Sequence, residues 1–191
     1  LPRLDELGDL FDEGALVHLV GQLGDDDLGA APGTLVHRGA RLDDDASMTH
    51  YRRSHVGFVF QFYNLVEHLN VEDNILLPIM INGGKKKDYM AKLRDLLDKV
   101  GLSNKNESYP RELSGGEQQR VSIARALINS PKIILADEPI GNLDSKTGKE
   151  IMELFRDINK TMGTSIIQVT HSLDSAQYGT RIVNVKDGIL S

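Results

Sequence analysis

The chain has 191 residues, of which 40% are hydrophobic and 26% charged, with a net charge of −6. That length supports one well-packed domain, and the composition excludes intrinsic disorder. With no cysteine, disulfides, thiolate metal sites and thiol catalysis are excluded, and the acidic balance argues against nucleic acid as a partner.

LLPIMI (76–81) is the strongest apolar run and falls far short of the roughly 20 residues that cross a bilayer. No secretory signal opens the chain, which begins at Leu1 as a fragment would, so a soluble intracellular protein is expected. All 11 lysines lie at or after Lys85, whereas residues 1–46 hold 11 acids against three arginines. The acidic triplets Asp25–Asp27 and Asp43–Asp45 lack the alternating oxygens of a calcium loop and read as solvated loops. The six histidines are scattered, with no ligand-like pair on one helix face.

HVGFVFQ (55–61) is aromatic and β-branched, which predicts a buried strand ending at Gln61. INGGKKK reads as a loop, and DYMAKLRDLLDKV (88–100) as a helix with Leu93, Leu96, Leu97 and Val100 on one stripe and Gly101 as its stop. LSGGEQQR (113–120) sets a serine and two glycines before VSIARAL, a run with helical spacing. A helix start of that kind offers free N–H groups and a positive dipole end to an anion, most often a phosphate. The usual phosphate loop, G-x-x-x-x-G-K-[ST], occurs nowhere.

KIILADEP (132–139) is a continuous apolar run ending in acids, as a buried parallel strand would be. SKTGKEIMELFRDINK (145–160) is an amphipathic helix facing inward with Ile151, Leu154, Phe155 and Ile158. SIIQVTH (165–171) and RIVNVKDG (181–188) are two more strands, the last ending in an Asp-Gly turn. Strands alternating with helices predict an α/β fold with a mostly parallel core.

Ligands of open parallel sheets gather outside the carboxyl ends of the strands. Gln61, Asp137 with Glu138, and His171 all stand at such ends. Each alone is commonplace: a capped glutamine, a solvated acid pair, a structural histidine. Together they are the parts of a phosphoryl-transfer site. Asp137 can hold Mg²⁺, Glu138 can polarise a water, His171 can meet a terminal phosphate, and Gln61 can complete the metal shell.

These motifs resemble those of the ATP-binding cassette (ABC) ATPases. LSGGEQQR is similar to their signature, IILADEP to the Walker B strand, GNLD (141–144) to the D-loop, FVFQ to the Q-loop strand and VTH to the switch histidine. GFVFQFYNL with the ADEPxGNLD run looks most like the exporter branch of lipoprotein-releasing, macrolide-export and peptide-antibiotic-resistance transporters, with Ile140 where Thr is usual.

The resemblance implies a P-loop NTPase-like fold: a mostly parallel sheet with helices on both faces, a helical subdomain, and a truncated N-terminal antiparallel part. It implies one ABC ATPase domain over 1–191, with an aberrant part at 1–46. A helical signature subdomain would span about 62–130, and the Walker B, D-loop and switch region 131–191. The cofactors would be ATP and Mg²⁺, with Asp137 and Gln61 at the metal, Glu138 as general base and His171 at the γ-phosphate. Ser114, Gly115, Gly116 and Glu117 would bind ATP held by a second ABC subunit, and Asp144 would lie at that interface. Residues 62–80 would receive a helix of a membrane-spanning permease, placing the protein in the cytoplasm, peripheral on the inner face of the membrane.

Along the same resemblance, GALVHLVGQL (14–23) looks like the helix after the phosphate loop, and GTLVHRGARLDDD (33–45) like the strand and turn before the Q-loop strand. The phosphate loop is then expected within LGDLFDEG (7–14), where Asp12 and Glu13 stand for its last glycine and lysine, and Gly14 and Ala15 for its hydroxyl pair. The adenine-stacking segment upstream and the return strand after 188 are expected to be missing or clipped. Three readings follow. One is a transporter subunit that couples ATP binding and hydrolysis to export, with an aberrant N-terminus. Another is a degenerate subunit that lends LSGGE in trans without hydrolysing at its own site. A third, a non-transport ABC ATPase, needs coiled coils or tandem cassettes that 191 residues do not hold.

Overall fold

The computed structural model describes residues 16–20, 36–37, 40–41, 45–186 and 189–190, with side chains described at 49 and over 51–183. The strands are β1 (Leu16–Val20), β2 (Val36–His37), β3 (Ala40–Arg41), β4 (Val56–Val59), β5 (Ile133–Asp137), β6 (Ser165–Thr170), β7 (Arg181–Lys186) and β8 (Ile189–Leu190). The helices are α1 (Asp45–His55), α2 (Val71–Ile81), α3 (Met90–Lys99), α4 (Gly115–Leu127), α5 (Ser145–Met162) and α6 (Leu173–Ala176). Six strands form one sheet in the order β4-β5-β6-β1-β7-β8, parallel up to β7, with β8 returning antiparallel. β2 and β3 make a separate antiparallel pair, in keeping with the strand and turn expected at 33–45.

Residues 16–20 correct the sequence expectation. The helix expected over 14–23 is the strand β1, inserted between β6 and β7 with Leu16 opposite Ile166 and Val17 opposite Arg181. LVHLV is a five-residue apolar run bracketed by Gly14 and Gly21, too short for periodicity to separate helix from strand. Pairing on both sides satisfies its backbone and decides the matter. Residues 7–14 lie outside the described residues.

The other expected strands hold with small shifts. β4 stops at Val59, two residues before Gln61, and His55 belongs to α1. α1 was not foreseen: its sequence, DASMTHYRRSH, carries no apolar stripe. α2 was not foreseen either, because Pro78 interrupts its apolar run. Asn70 caps α2 by accepting from the Asp73 N–H at 2.8 Å. α3 buries Leu93, Leu96 and Leu97 as expected, with Val100 also buried and Gly101 at φ +72° ending it.

The core lies between the sheet and α4, α5, α2 and α3. Ile134 and Ala136 of β5, Ile166 of β6, and Ile151, Met152, Phe155 and Ile158 of α5 are all buried there. α4 packs against β4, α2, α3 and α5 at once, and so buries nearly every residue from Val121 to Leu127. Its approach to β4 is close enough that a Cβ on Gly57 would stand 2.7 Å from the Ala126 carbonyl oxygen. Only glycine fits at that crossing.

Candidate functional site

Because β4, β5, β6, β1 and β7 are parallel, their carboxyl ends share one edge of the sheet. Asp137 ends β5 opposite Val169, and Thr170 ends β6 opposite Val20 of β1. The edge thus gathers Asp137, Glu138 and His171 beside the end of β1. A cavity of about 510 Å³ lies elsewhere, lined by Glu153, Arg156, Lys160 and residues 177–180. It faces the start of β7 rather than the strand ends.

Glu138 turns the chain sharply out of the sheet. Its φ of +41° is a left-handed value for a side chain with a Cβ, a conformation that costs about 1 kcal/mol and persists where the surroundings hold it. Those surroundings are the end of β6. The Glu138 N–H donates to the Val169 carbonyl at 3.0 Å. Its carboxylate accepts from the His171 N–H at 2.6 Å and from the Thr170 hydroxyl at 3.2 Å. The His171 ring lies 4.0 Å from the same carboxylate and is 62% exposed, so the imidazole points to whatever arrives from outside.

Gln61 lies just beyond β4, where its side-chain N–H donates to the Asn142 side-chain oxygen at 3.2 Å. Asn142 returns a bond to the Gln61 carbonyl at 3.1 Å. This pairing ties the turn after β4 to the turn after β5. Gln119 of α4, fully buried, reinforces it by donating to the carbonyls of Phe60 and Pro139. Sequence reasoning missed Gln119, although a glutamine on the buried stripe of an otherwise apolar helix face is a signal.

Tyr63 (φ 60°) and Asn64 (φ 47°), two and three residues beyond Gln61, are both left-handed. Arg125 of α4 donates to their carbonyls at 2.8 and 2.6 Å. Farther on, the buried Asn74 accepts from the Val66 N–H and donates to the carbonyls of Val66, Leu69 and Asn70. The segment 61–70 therefore has backbone groups answered by three side chains: Asn142 of the turn after β5, Arg125 of α4 and Asn74 of α2.

The signature motif opens α4. Ser114 is its N-cap, accepting from the Glu117 N–H at 3.3 Å. The Glu117 carboxylate accepts in return from the Ser114 N–H at 2.8 Å and the Ser114 hydroxyl at 2.9 Å, a reciprocal capping box. These bonds hold the Glu117 carboxyl below the usual carboxylate range, the Ser114 N–H contributing most. A Cβ on Gly116 would strike Thr147 of α5, and one on Gly115 would stand 2.8 Å from the Tyr63 hydroxyl. The two helix starts are thus side by side. α5 begins at Asp144, whose carboxylate accepts from the N–H groups of Lys146 and Thr147 and from the Thr147 hydroxyl at 2.6 Å. The Thr147 hydroxyl is the main cause of its lowered pKa. Ile140, the departure from the family pattern, packs towards Gly148 of α5.

A groove of about 410 Å³ opens where β4 meets α2 and the far end of α4, lined by Phe58, Phe60, Leu77 and Ile81 together with Arg52 and Arg53. Of the segment 62–80, only Leu77 and Pro78 line it. Phe62, 71% exposed, stands in the same turn as Tyr63.

The fit to a magnesium nucleotide is divided. Asp137 at a strand end suits a cation that is otherwise held by phosphates and water, and the α4 start suits a phosphate. The end of β1 does not. The segment that follows Val20 in sequence is Gly21-Gln22-Leu23-Gly24-Asp25-Asp26-Asp27-Leu28. Set on the phosphate-loop pattern from Gly21, it carries Asp26 for the second glycine, Asp27 for the lysine and Leu28 for the hydroxyl. Read on this register instead of the one at 7–14, which lies outside the described residues, the sequence sets acids where the pattern has its second glycine and its lysine.

Comparison with known proteins adds the wider setting. The sequence profile of the ABC transporter family matches residues 15–141. The lipoprotein-releasing system ATP-binding protein LolD of Colwellia psychrerythraea is 38% identical over 98% of this chain and 77% of its own length. An uncharacterized ABC transporter ATP-binding protein of Thermotoga maritima is 47% identical over 75% of this chain and 61% of its own. Among solved structures, the dimeric, ADP- and Pi-bound state of the ATP-binding cassette MJ0796 superposes with a TM-score of 0.78 at 34% identity. That match covers 94% of this chain and 84% of the other.

Proposed function

This chain belongs to the ABC transporter family, and we propose that it is the ATP-binding subunit of an exporter, coupling ATP binding and hydrolysis to transport by a membrane-spanning partner. The observation that carries this reading is the pair of adjacent helix starts, Ser114–Gly116 and Asp144–Thr147, which leave Ser114 and Asp144 at the surface. Such a face closes over a nucleotide held by a second subunit. Bound Mg-ATP would supply the phosphoanhydride whose cleavage drives the cycle. Asp137 would stand at the metal, and Gln61 would link it to the 61–64 turn and the groove. Glu138, anchored by Thr170 and the His171 N–H, would accept a proton from the attacking water, and the exposed His171 ring would meet the terminal phosphate. The groove would seat a helix of the permease. Among the described residues no helix is long and apolar enough to cross a membrane, so attachment at the cytoplasmic face would come through that groove.

One observation favours a second reading of the chain's own ATP site. Asp25–Asp27 after β1 lack the charge that a phosphate needs, which suits a subunit that serves only as the signature partner of an intact loop. Calorimetry of the full chain with Mg-ATP separates the two. Micromolar binding fits a working site and overturns the trans-only reading, whereas no binding fits the trans-only subunit. In either case Ser114→Arg is expected to lower the turnover of the dimer at least about a hundredfold, by setting a cationic bulk where the helix start must close. Unchanged turnover would refute the role given to the signature.

A further inference from the structure

The signature of this chain carries a carboxylate, Glu117, where it must face phosphates, and the structure supplies a counter-charge. Lys105 lies on the loop between α3 and the 3-10 turn at Pro110–Glu112. Its backbone is fixed by a bond from its own N–H to the Leu102 carbonyl and by another from the Ser108 N–H to its carbonyl, at 2.9 and 3.0 Å. Its ammonium stands 3.2 Å from Oε1 of Glu117, while Oε2 accepts the Ser114 N–H and hydroxyl. The carboxylate is therefore divided: one oxygen holds the two Ser114 donors that a phosphate would want, and the other holds a lysine.

We propose that Lys105 is a positioning residue for nucleotide closure, offsetting the charge of Glu117 so that the α4 start accepts a partner's ATP. This rests on the signature acting across a dimer, as argued above. The physical reason is competition. An approaching γ-phosphate must displace Oε2 from Ser114, or share Ser114 with it, at a helix start whose dipole is already partly satisfied by the carboxylate. With the ammonium in place, the carboxylate presents little net charge and can swing towards Lys105 as it releases Ser114. Without it, a bare anion stays beside the arriving phosphate. A capping box alone would stabilise α4 without needing any lysine, so the lysine is what distinguishes this arrangement from a purely structural cap.

The test uses the full chain mixed with a relative that carries an intact phosphate loop and a silenced general base, with Mg-ATP as the probe. ATP-driven assembly is read by sedimentation. Lys105→Ala is expected to raise the ATP concentration for half-maximal assembly about three- to tenfold, a span typical of a part-exposed charge pair at a binding face. Glu117→Gln, which removes the charge that is offset, serves as the reference background against which the lysine is read. In the Glu117→Gln background, Lys105→Ala should change nothing beyond about twofold, because the charge it offsets is gone. Equal losses in both backgrounds, or no loss in the parent, overturn the proposal. Melting temperatures of the variants, expected to fall by no more than the loss of one part-exposed cap and ion pair allows, separate assembly from folding. Ser114→Arg in the same assay tests the underlying reading by itself: if it leaves assembly intact, the trans role falls, whatever Lys105 does.

Discussion

The two places where this chain would meet a nucleotide are built to different standards. At the start of α4, the capping side chains are paired: Ser114 and Glu117 cap one another, Lys105 answers the spare oxygen, and glycines leave room for Thr147 and Tyr63. At the end of β1, a correctly placed central strand leads into Asp25, Asp26 and Asp27. The contrast teaches that fold position and chemistry are separable. The sheet holds its order around β1 because backbone pairing needs only an extended apolar run. Anion binding, by contrast, needs specific charge and glycine at a few loop positions.

Repairing the poor side gives the largest expected effect. Restoring the pattern with Asp26→Gly, Asp27→Lys and Leu28→Ser should raise Mg-ATP affinity at least about a hundredfold, by reversing the charge and freeing the backbone to wrap phosphate. Calorimetry against the parent checks it, and equal affinities would mean that the segment after β1 is not the phosphate loop. Disturbing the far end of α4, where it crosses β4, should cost less and act through stability. Gly57→Ala forces a methyl towards the Ala126 carbonyl at 2.7 Å, and overpacking of this kind costs about 1–3 kcal/mol. A lowered urea midpoint with unchanged slope is the expected signature.

The smallest effect is on pH dependence. Glu117 titrates below its ordinary 4.5 in the folded chain, so the stability it confers is complete above that value and is lost as pH falls through the lower, folded one. Glu117→Gln should flatten that acid limb by less than about 1 kcal/mol, as read from denaturant midpoints across it. An identical limb in the variant would mean that other acids carry it.

Much of the site was legible in the sequence because its residues sit at boundaries. Asp137, Glu138 and His171 end apolar runs, and Ser114 starts one, so strand and helix edges located them without coordinates. The D-loop and signature likewise fell on helix starts. β1 was misassigned because LVHLV has no helical or strand period long enough to read, so the likeness of 14–23 to a helix following a phosphate loop prevailed. α1 was hidden by a sequence with no apolar face, and α2 by Pro78. The bonds that fix the 61–70 segment were out of reach, since they join Asn142, Arg125 and Asn74 to backbone groups, and nothing in a side-chain pattern names a backbone partner.

Arg125 couples the groove to the turn behind it. It lines the cavity with Phe58, Phe60 and Ile81, while two of its N–H groups donate to the carbonyls of Tyr63 and Asn64. Replacing Arg125 would alter the groove and release the left-handed turn behind it at the same stroke. Arg52, Arg53, Leu77 and Ile81 line the same groove without holding that turn. Substitutions there would reshape the groove while the turn beside Gln61 keeps its holder.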